Sequence, residues 1–294
     1  MAQGGTPHHR PSWLVQKAPD QESLRRMRAL MEGQALNTVC VEAQCPNQGE
    51  CFACGTATFL ILGDICTRGC RFCAVKHGRP APIDPEEPDR LAQTAAQLGL
   101  KHVVITSVTR DDLPDQGAGQ FAAAVRAVKA ASPDTSVEVL IPDFQGRLEL
   151  LEMVARAQPE VIAHNLETVP RFYGPVRRGA QYGRSLEVVA NVKRVSAAAS
   201  KSGIMLGLGE RREEVLGVLS DLRGAGCDIL TLGQYLAPSP EHAPVERFVP
   251  PAEFDELKRE ALALGFKYVA ASPYVRSSYR ADRAWKAVRE AAGS

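Results

Sequence analysis

The sequence predicts an α/β fold, a partial (β/α)6 barrel with one open side, on three observations. Six apolar runs rich in β-branched residues recur along the chain, amphipathic helical patterns separate them, and polar residues collect just after the runs. Buried strands alternating with helices imply parallel strands joined by right-handed crossovers. Six units are too few to close an eight-stranded barrel. The missing wall is expected to be filled by substrate or by the terminal segments, and a doubly wound sheet is the alternative packing.

Taken in order, the runs are Thr58 to Leu62, Val103 to Val108, Val137 to Ile141, Val161 to Leu166, Gly203 to Leu208 and Ile229 to Leu236. Between the first two, Leu91, Ala95 and Leu98 share a helical face that Gly99 closes, and Phe121, Val125 and Val128 repeat the i, i+4, i+7 rule after the second. Leu148 and Leu151 open another stripe; Val215, Leu216, Leu219 and Leu222 form a further one. Residues 1–57 read as an N-terminal extension, with a short helical pattern from Leu24 to Leu30 followed by cysteines among Pro46, Asn47, Gly49 and Gly55, a loop composition. Past Leu236, Pro238, Pro240, Pro244, Pro250 and Pro251 interrupt regular structure before a helix carrying Phe254, Leu257, Ala261 and Leu264. The apolar segment Tyr268 to Ala271 then leads to Arg276-Ser277-Ser278-Tyr279 and a helix from about Ala281. The expected organisation is an extension over 1–57, a barrel core over 58–236 and a C-terminal closing segment over 237–294.

Bulk properties exclude several classes of function. With 35 basic and 34 acidic residues the formal net charge is +1, too little for a global field that gathers nucleic acid or an anionic membrane. No stretch of about 18 apolar residues offers a membrane span, and no signal-peptide core precedes Cys40. A reducing, cytoplasmic setting is expected, in which thiols stay free for metal.

Six of the eight cysteines form two triplets, Cys40, Cys45 and Cys51 as C-x4-C-x5-C and Cys66, Cys70 and Cys73 as C-x3-C-x2-C. Iron-sulfur clusters usually take four thiolates, so two sets of three suggest two clusters, each with one iron left for another ligand. The first spacing matches neither the close pairs of zinc sites nor the bacterial ferredoxin run. The second triplet starts two residues after Asp64, at the carboxyl end of the first strand, where barrel enzymes keep their active sites. Thr106, Ser107, Thr109, Arg110 and Asp111 end the second strand, Asn165 and Glu167 the fourth, Gly207, Gly209 and Glu210 the fifth, Gln234 and Tyr235 the sixth. Asn165 and Glu167, two apart, share one side of a strand, so His164 faces the other way as a satisfied core histidine. Cys54 and Cys227 read as small buried hydrophobes.

The C-x3-C-x2-C loop after a first strand, with Phe72 before the last cysteine, resembles the cluster loop of radical S-adenosylmethionine enzymes. That resemblance implies that the open iron binds the amino and carboxylate groups of S-adenosylmethionine, which the reduced cluster cleaves to a 5'-deoxyadenosyl radical. Thr106, Asn165, Glu167, Gly207 and Glu210 then become candidate cofactor contacts, although Gly207 and Gly209 equally suit a turn after a strand. The first triplet, Gly63-Asp64-Ile65-Cys66-Thr67-Arg68, His164-Asn165-Leu166-Glu167-Thr168-Val169 and Arg276-Ser277-Ser278-Tyr279 together resemble the lipoyl synthases over residues 12 to 282. Membership of that family implies insertion of two sulfur atoms at C6 and C8 of an octanoyl chain on a lysine of a lipoyl carrier protein. It also implies two 4Fe-4S clusters, the auxiliary one held by Cys40, Cys45, Cys51 and a tail serine and acting as sulfur donor.

Ser278 is assigned as that ligand by the family match; the residues alone do not separate it from Ser277, and capping of the helix near Ala281 accounts for either. Arg276 suits a carboxylate or a backbone carbonyl equally. The implied partners are an octanoylated lipoyl carrier domain, an electron donor such as ferredoxin or flavodoxin, and a cluster-repair carrier, with Arg177, Arg178 and Arg184 as candidate basic contacts to the carrier domain. Two rivals stay open. One keeps the radical machinery and makes the first cluster an electron relay or substrate anchor; the other is a non-catalytic electron carrier or zinc module.

Overall fold

The computed structural model describes residues 11–14, 21–39, 47 and 58–292. Cys40, Cys45, Cys51 and Cys54 lie outside the described residues. Helix α1 (Gln21–Gly33) leads to the short strand β1 (Asn37–Thr38), which pairs antiparallel with β2 (Thr58–Ile61). Two-residue strands β3 (Ile65–Cys66) and β4 (Lys76–His77) form a ribbon of their own. From β2 the main sheet continues in parallel through β5 (His102–Ser107), β6 (Ser136–Leu140), β7 (Val161–Ala163), β8 (Ala199–Leu206), β9 (Ile229–Gln234) and β10 (Tyr268–Ala271).

The strand order is sequential, without the reversal a doubly wound sheet requires. The six expected strands stand side by side, and two additions extend them: β10 as a seventh parallel strand and β1 as an antiparallel edge. Among the described residues sheet pairing ends at β1 and β10, with no pairing between these two edges.

Amphipathic helices fill the crossovers: α2 (Glu87–Gln97), α3 (Ala118–Ala131), α4 (Leu148–Ala155), the single turn α5 (Tyr173–Val176), α6 (Tyr182–Val195), α7 (Arg212–Gly224) and α8 (Pro251–Ala263). Helix α2 starts with Pro88 in its first turn and α8 with Pro251, a position where the missing N–H costs nothing. One apolar layer packs Phe59, Ile105 and Val139 of the sheet under Leu91, Phe121, Val125 and Leu151. A second packs Leu206 and Leu232 under Leu219, Leu222, Phe254 and Leu257.

The last helix, α9 (Ala281–Ala292), lies elsewhere. Its Ala284 and Val288 are buried against Val161, Ala199 and Ile229, the first or near-first residues of their strands, with Trp285 and Tyr268 alongside. Helix α9 therefore closes the amino-terminal end of the barrel. Just inside, Lys201 Nζ meets Glu138 Oε1 at 2.6 Å with both side chains buried. Burial is the largest influence on the Glu138 carboxyl and opposes its charge, but Lys201 and His102 together outweigh it and keep the pKa low. Among the described residues no helix is long and apolar enough to cross a membrane.

Candidate active site at the mouth of the barrel

Strand β2 ends in two left-handed residues, Leu62 (φ 70°) and Gly63 (φ 90°), and this turn sends the chain across the carboxyl end of the sheet. A left-handed leucine is strained. Here the strain is held by Glu87 Oε2, which accepts from the Leu62 N–H at 3.0 Å, and by Arg110 Nη1, which donates to the Leu62 carbonyl at 3.3 Å. The turn delivers the loop that runs from Cys66 through Cys70 to Cys73. Thr67 is pinned to the Thr109 carbonyl by its N–H at 3.0 Å and its hydroxyl at 2.9 Å. Cys66 Sγ accepts the N–H groups of Arg68 and Thr109, each at 3.4 Å, which fixes the sulfur against the loop backbone. From the far side His242 Nε2 bonds the Cys73 carbonyl at 3.0 Å, and the Ala243 N–H donates to the Arg71 carbonyl at 2.7 Å. Burial pushes the Cys70 thiol up to about 11 and the Cys73 thiol to about 12, so a metal must displace their protons on binding.

Behind the loop sits a buried charge network. Arg68 forks onto Asp111 at 2.7 and 2.8 Å and reaches Asp143 at 2.8 Å, while Arg184 Nε donates to the other Asp143 oxygen at 2.8 Å. Burial alone would raise the Asp143 carboxyl; the Arg68 hydrogen bond and charge overcome it and hold the pKa at about 2.

A cavity of about 600 Å³ opens over the carboxyl ends of the strands. Cys66, Cys70 and Cys73 face it, as do Thr106, Asn165 and Glu167, the tail residues Ser277 and Ser278, and Val39, the neighbour of Cys40 in sequence. Glu167 takes a left-handed φ of 67°, donates to the Gly203 carbonyl at 2.9 Å and accepts from the Met205 N–H at 2.9 Å. That local clasp brings Asn165 Nδ2 to 3.1 Å from Glu167 Oε1. Burial raises the Glu167 pKa, against the pull of Arg177 and Asn165. Gly207 and Glu210 are placed differently, off the cavity wall. The Glu210 carboxylate accepts the N–H groups of Gly207 at 2.6 Å and Leu208 at 2.9 Å, clasping the loop that follows β8. Gly207 has φ 108°, and a Cβ there would overlap the Gln234 amide and stand 2.6 Å from the Arg247 carbonyl.

The tail is laid onto β9. The Gln234 N–H donates to the Pro273 carbonyl at 3.1 Å, and a Cβ on Gly233 would overlap the Val275 carbonyl oxygen. Asn47, which lies between Cys45 and Cys51 in sequence, donates to the Tyr274 carbonyl at 2.6 Å. Arg276 Nη1 bonds the Pro273 and Val275 carbonyls, at 3.3 and 2.7 Å. Backbone carbonyls are thus among its partners.

Residues 60–222 match the model of the Radical SAM superfamily. A lipoyl synthase of Methylococcus capsulatus is 56% identical over 281 residues, covering 95% of this chain and 87% of its own. One from Trichlorobacter lovleyi is 57% identical over 274 residues, with 92% and 97% covered. The chain belongs to the lipoyl synthases. Among solved structures, that of a methylornithine synthase superposes with a TM-score of 0.54 at 15% identity, covering 86% of this chain and 79% of that one, which shows a shared fold.

His164 is neutral and satisfied: Nδ1 donates to the Ile141 carbonyl at 2.9 Å, and Nε2 meets Ser185 Oγ at 3.1 Å. Burial, aided by the Arg177 charge, drives its pKa down to about 3. Cys227 is fully buried with its thiol on the Ile229 carbonyl. Two of the three candidate docking arginines turn inward. Arg177 Nη1 bonds Tyr173 Oη and Ser185 Oγ at 2.8 and 2.9 Å, and Arg184 serves Asp143; Arg178 stays exposed. The supporting roles of Arg68, Asp143 and Glu87 escaped the sequence reading. The one signal for Asp143 was an acidic residue directly after Ile141-Pro142, at the same end of a strand as the other polar groups.

Proposed function

We propose that the chain inserts two sulfur atoms, at C6 and C8, into an octanoyl group carried on a lysine of a lipoyl carrier protein. The observation that carries this reading is convergence: the second cysteine triplet, Asn165, Glu167 and Ser278 face one cavity, and Val39 beside the first triplet lines the same space. Among the described residues no three His, Cys, Asp or Glu side chains come close enough to share a single metal ion. Cys66, Cys70 and Cys73 face the cavity as free thiols, three donors for a cube that usually takes four thiolates.

Two 4Fe-4S clusters and S-adenosylmethionine supply, when bound, the hydrogen-abstracting radical and the sulfur. The protein holds and aims them. Cys66, Cys70 and Cys73 hold the first cluster, with the N–H groups on Cys66 Sγ offsetting thiolate charge. Asn165 and Glu167 orient polar groups of S-adenosylmethionine, Thr106 offers a hydroxyl oxygen while its proton goes to the Leu140 carbonyl at 2.9 Å, and Gly207 with Glu210 shapes the backbone edge behind them. Cys40, Cys45, Cys51 and Ser278 hold the auxiliary cluster. An oxygen ligand suits a sulfur-rich cluster less well than thiolate, so Ser278 would be the most weakly held of the four ligands. Leu60, Val108, Leu140, Ile141 and Met205 give the cavity an apolar wall for the acyl chain, each buried CH2 adding roughly 0.8 kcal/mol.

The division into 1–57, 58–236 and 237–294 follows these roles. A ferredoxin or flavodoxin as reductant, a cluster-repair carrier and a cytoplasmic location complete the proposal. Its test is a pair of variants. Cys40→Ala should still cleave S-adenosylmethionine to 5'-deoxyadenosine while forming no lipoyl product, and Cys70→Ala should do neither. Lipoyl product from Cys40→Ala would refute the donor role.

A further inference from the structure

Ser277 is used differently from its neighbour. Its hydroxyl donates to Asn165 Oδ1 at 3.2 Å, and the same amide passes a hydrogen bond to Glu167 Oε1 at 3.1 Å. The three side chains make a continuous link across the barrel mouth, from the tail to the end of β7. Two glycines remove its slack. A Cβ on Gly203 would crowd Asn165 Oδ1 at 3.3 Å, and one on Gly233 would overlap the Val275 carbonyl just before the serines. Helix capping does not describe this hydroxyl, whose partner lies 112 residues away.

We propose that Ser277 is a positioning residue that couples occupancy of the Asn165–Glu167 site to the placement of Ser278. The inference rests on reading Asn165 and Glu167 as contacts to S-adenosylmethionine and Ser278 as a cluster ligand. Ser277 and Ser278 are the two central residues of a turn that the Tyr279 N–H closes onto the Arg276 carbonyl at 3.0 Å, and both face the cavity, so a hold on Ser277 restricts where Ser278 is presented. A ligand that bonds Glu167 or Asn165 redirects the amide and with it the acceptor that Ser277 uses. Binding at one site and oxygen ligation at the other are then linked, and the linkage runs both ways.

The test uses the full chain with both clusters reconstituted, as parent, Ser277→Ala, Ser277→Thr and Ser278→Ala. Two quantities are read: affinity for S-adenosylmethionine by equilibrium dialysis, and the Mössbauer spectrum of the auxiliary cluster with and without S-adenosylmethionine. In the parent and in Ser277→Thr, adding S-adenosylmethionine should change the auxiliary spectrum. In Ser277→Ala that response should vanish and binding should weaken about three- to ten-fold, the worth of one hydrogen bond. Parent-like affinity and response in Ser277→Ala, or a parent spectrum indifferent to S-adenosylmethionine, would overturn the coupling. Ser278→Ala separates the two levels: an unchanged auxiliary spectrum there sinks the ligand assignment itself, whereas a changed one beside parent-like affinity and response in Ser277→Ala sinks only the coupling.

Discussion

Asp143 is not among the proposed cluster ligands, yet it ties the Cys66–Cys73 loop to the barrel. Its side chain is fully buried, each oxygen takes a guanidinium, and one of these belongs to Arg68 between the first two loop cysteines. Neutralising Asp143 leaves Arg184 without its carboxylate and Arg68 with Asp111 alone. Asp143→Asn should therefore lose about 3–5 kcal/mol in denaturant unfolding, whereas a loss under 1 kcal/mol would show that the network relaxes freely. His164 gives a second residue-level prediction. Its folded pKa of about 3 lies below the ordinary 6.5, so the unfolded chain binds the extra proton between these values. Its contribution is complete above pH 6.5 and is lost as pH falls toward 3, by up to about 1.4 kcal/mol per pH unit. Comparing the parent with His164→Gln in urea at pH 7 and pH 5 should show the smaller pH dependence in the variant. The cysteines, Asn165 and Glu167 were legible because short spacing and strand alternation mark them. Arg68, Asp143 and Ser277 were not, since their partners stand 75, 41 and 112 residues away and no local pattern announces such pairs.

At the level of elements, hydrophobic period located the six central strands to within a few residues at most ends. Strand β8 is the main exception: it begins at Ala199 rather than Gly203, because Ser200, Lys201 and Ser202 are polar yet buried and find partners inside the protein. Helix α6 went unread, for Val188, Val189, Val192 and Val195 are β-branched and favour strands locally. Tertiary packing decides otherwise: Val188 and Val192 join the core beside β6 and β7, and Val189 joins the neighbouring one. Strand β10 was visible as an apolar segment only, its four residues being too short to carry a period. How closely tail and sheet are fitted can be probed at one glycine. Gly233→Ala should push the tail off β9, costing about 1–3 kcal/mol and lowering the iron retained at the auxiliary site. Gly217→Ala, in α7 with open space around its Cβ, should be neutral or stabilising by up to about 1 kcal/mol. Equal losses in both variants would remove the tail contact as the explanation.

For the molecule as a whole, the barrel has two unlike ends. Helix α9 seals the amino-terminal end over Val161, Ala199 and Ile229, and the carboxyl end opens into the cavity that the cysteine loop and the tail share. Asn47 reaches the tail turn at Tyr274, so the N-terminal extension and the C-terminal segment meet at this mouth. An open-sided barrel leaves room for a carrier-bound acyl chain to enter beside them. The proposed donor role requires an auxiliary cluster within reach of the acyl carbons, which an electron relay would not need. The decisive measurement is the fate of labelled sulfide. With the auxiliary cluster rebuilt from isotopically labelled sulfide and the reaction run in unlabelled buffer, both sulfur atoms of the lipoyl product should carry the label; a product without label would contradict the account and leave that cluster as a relay or anchor.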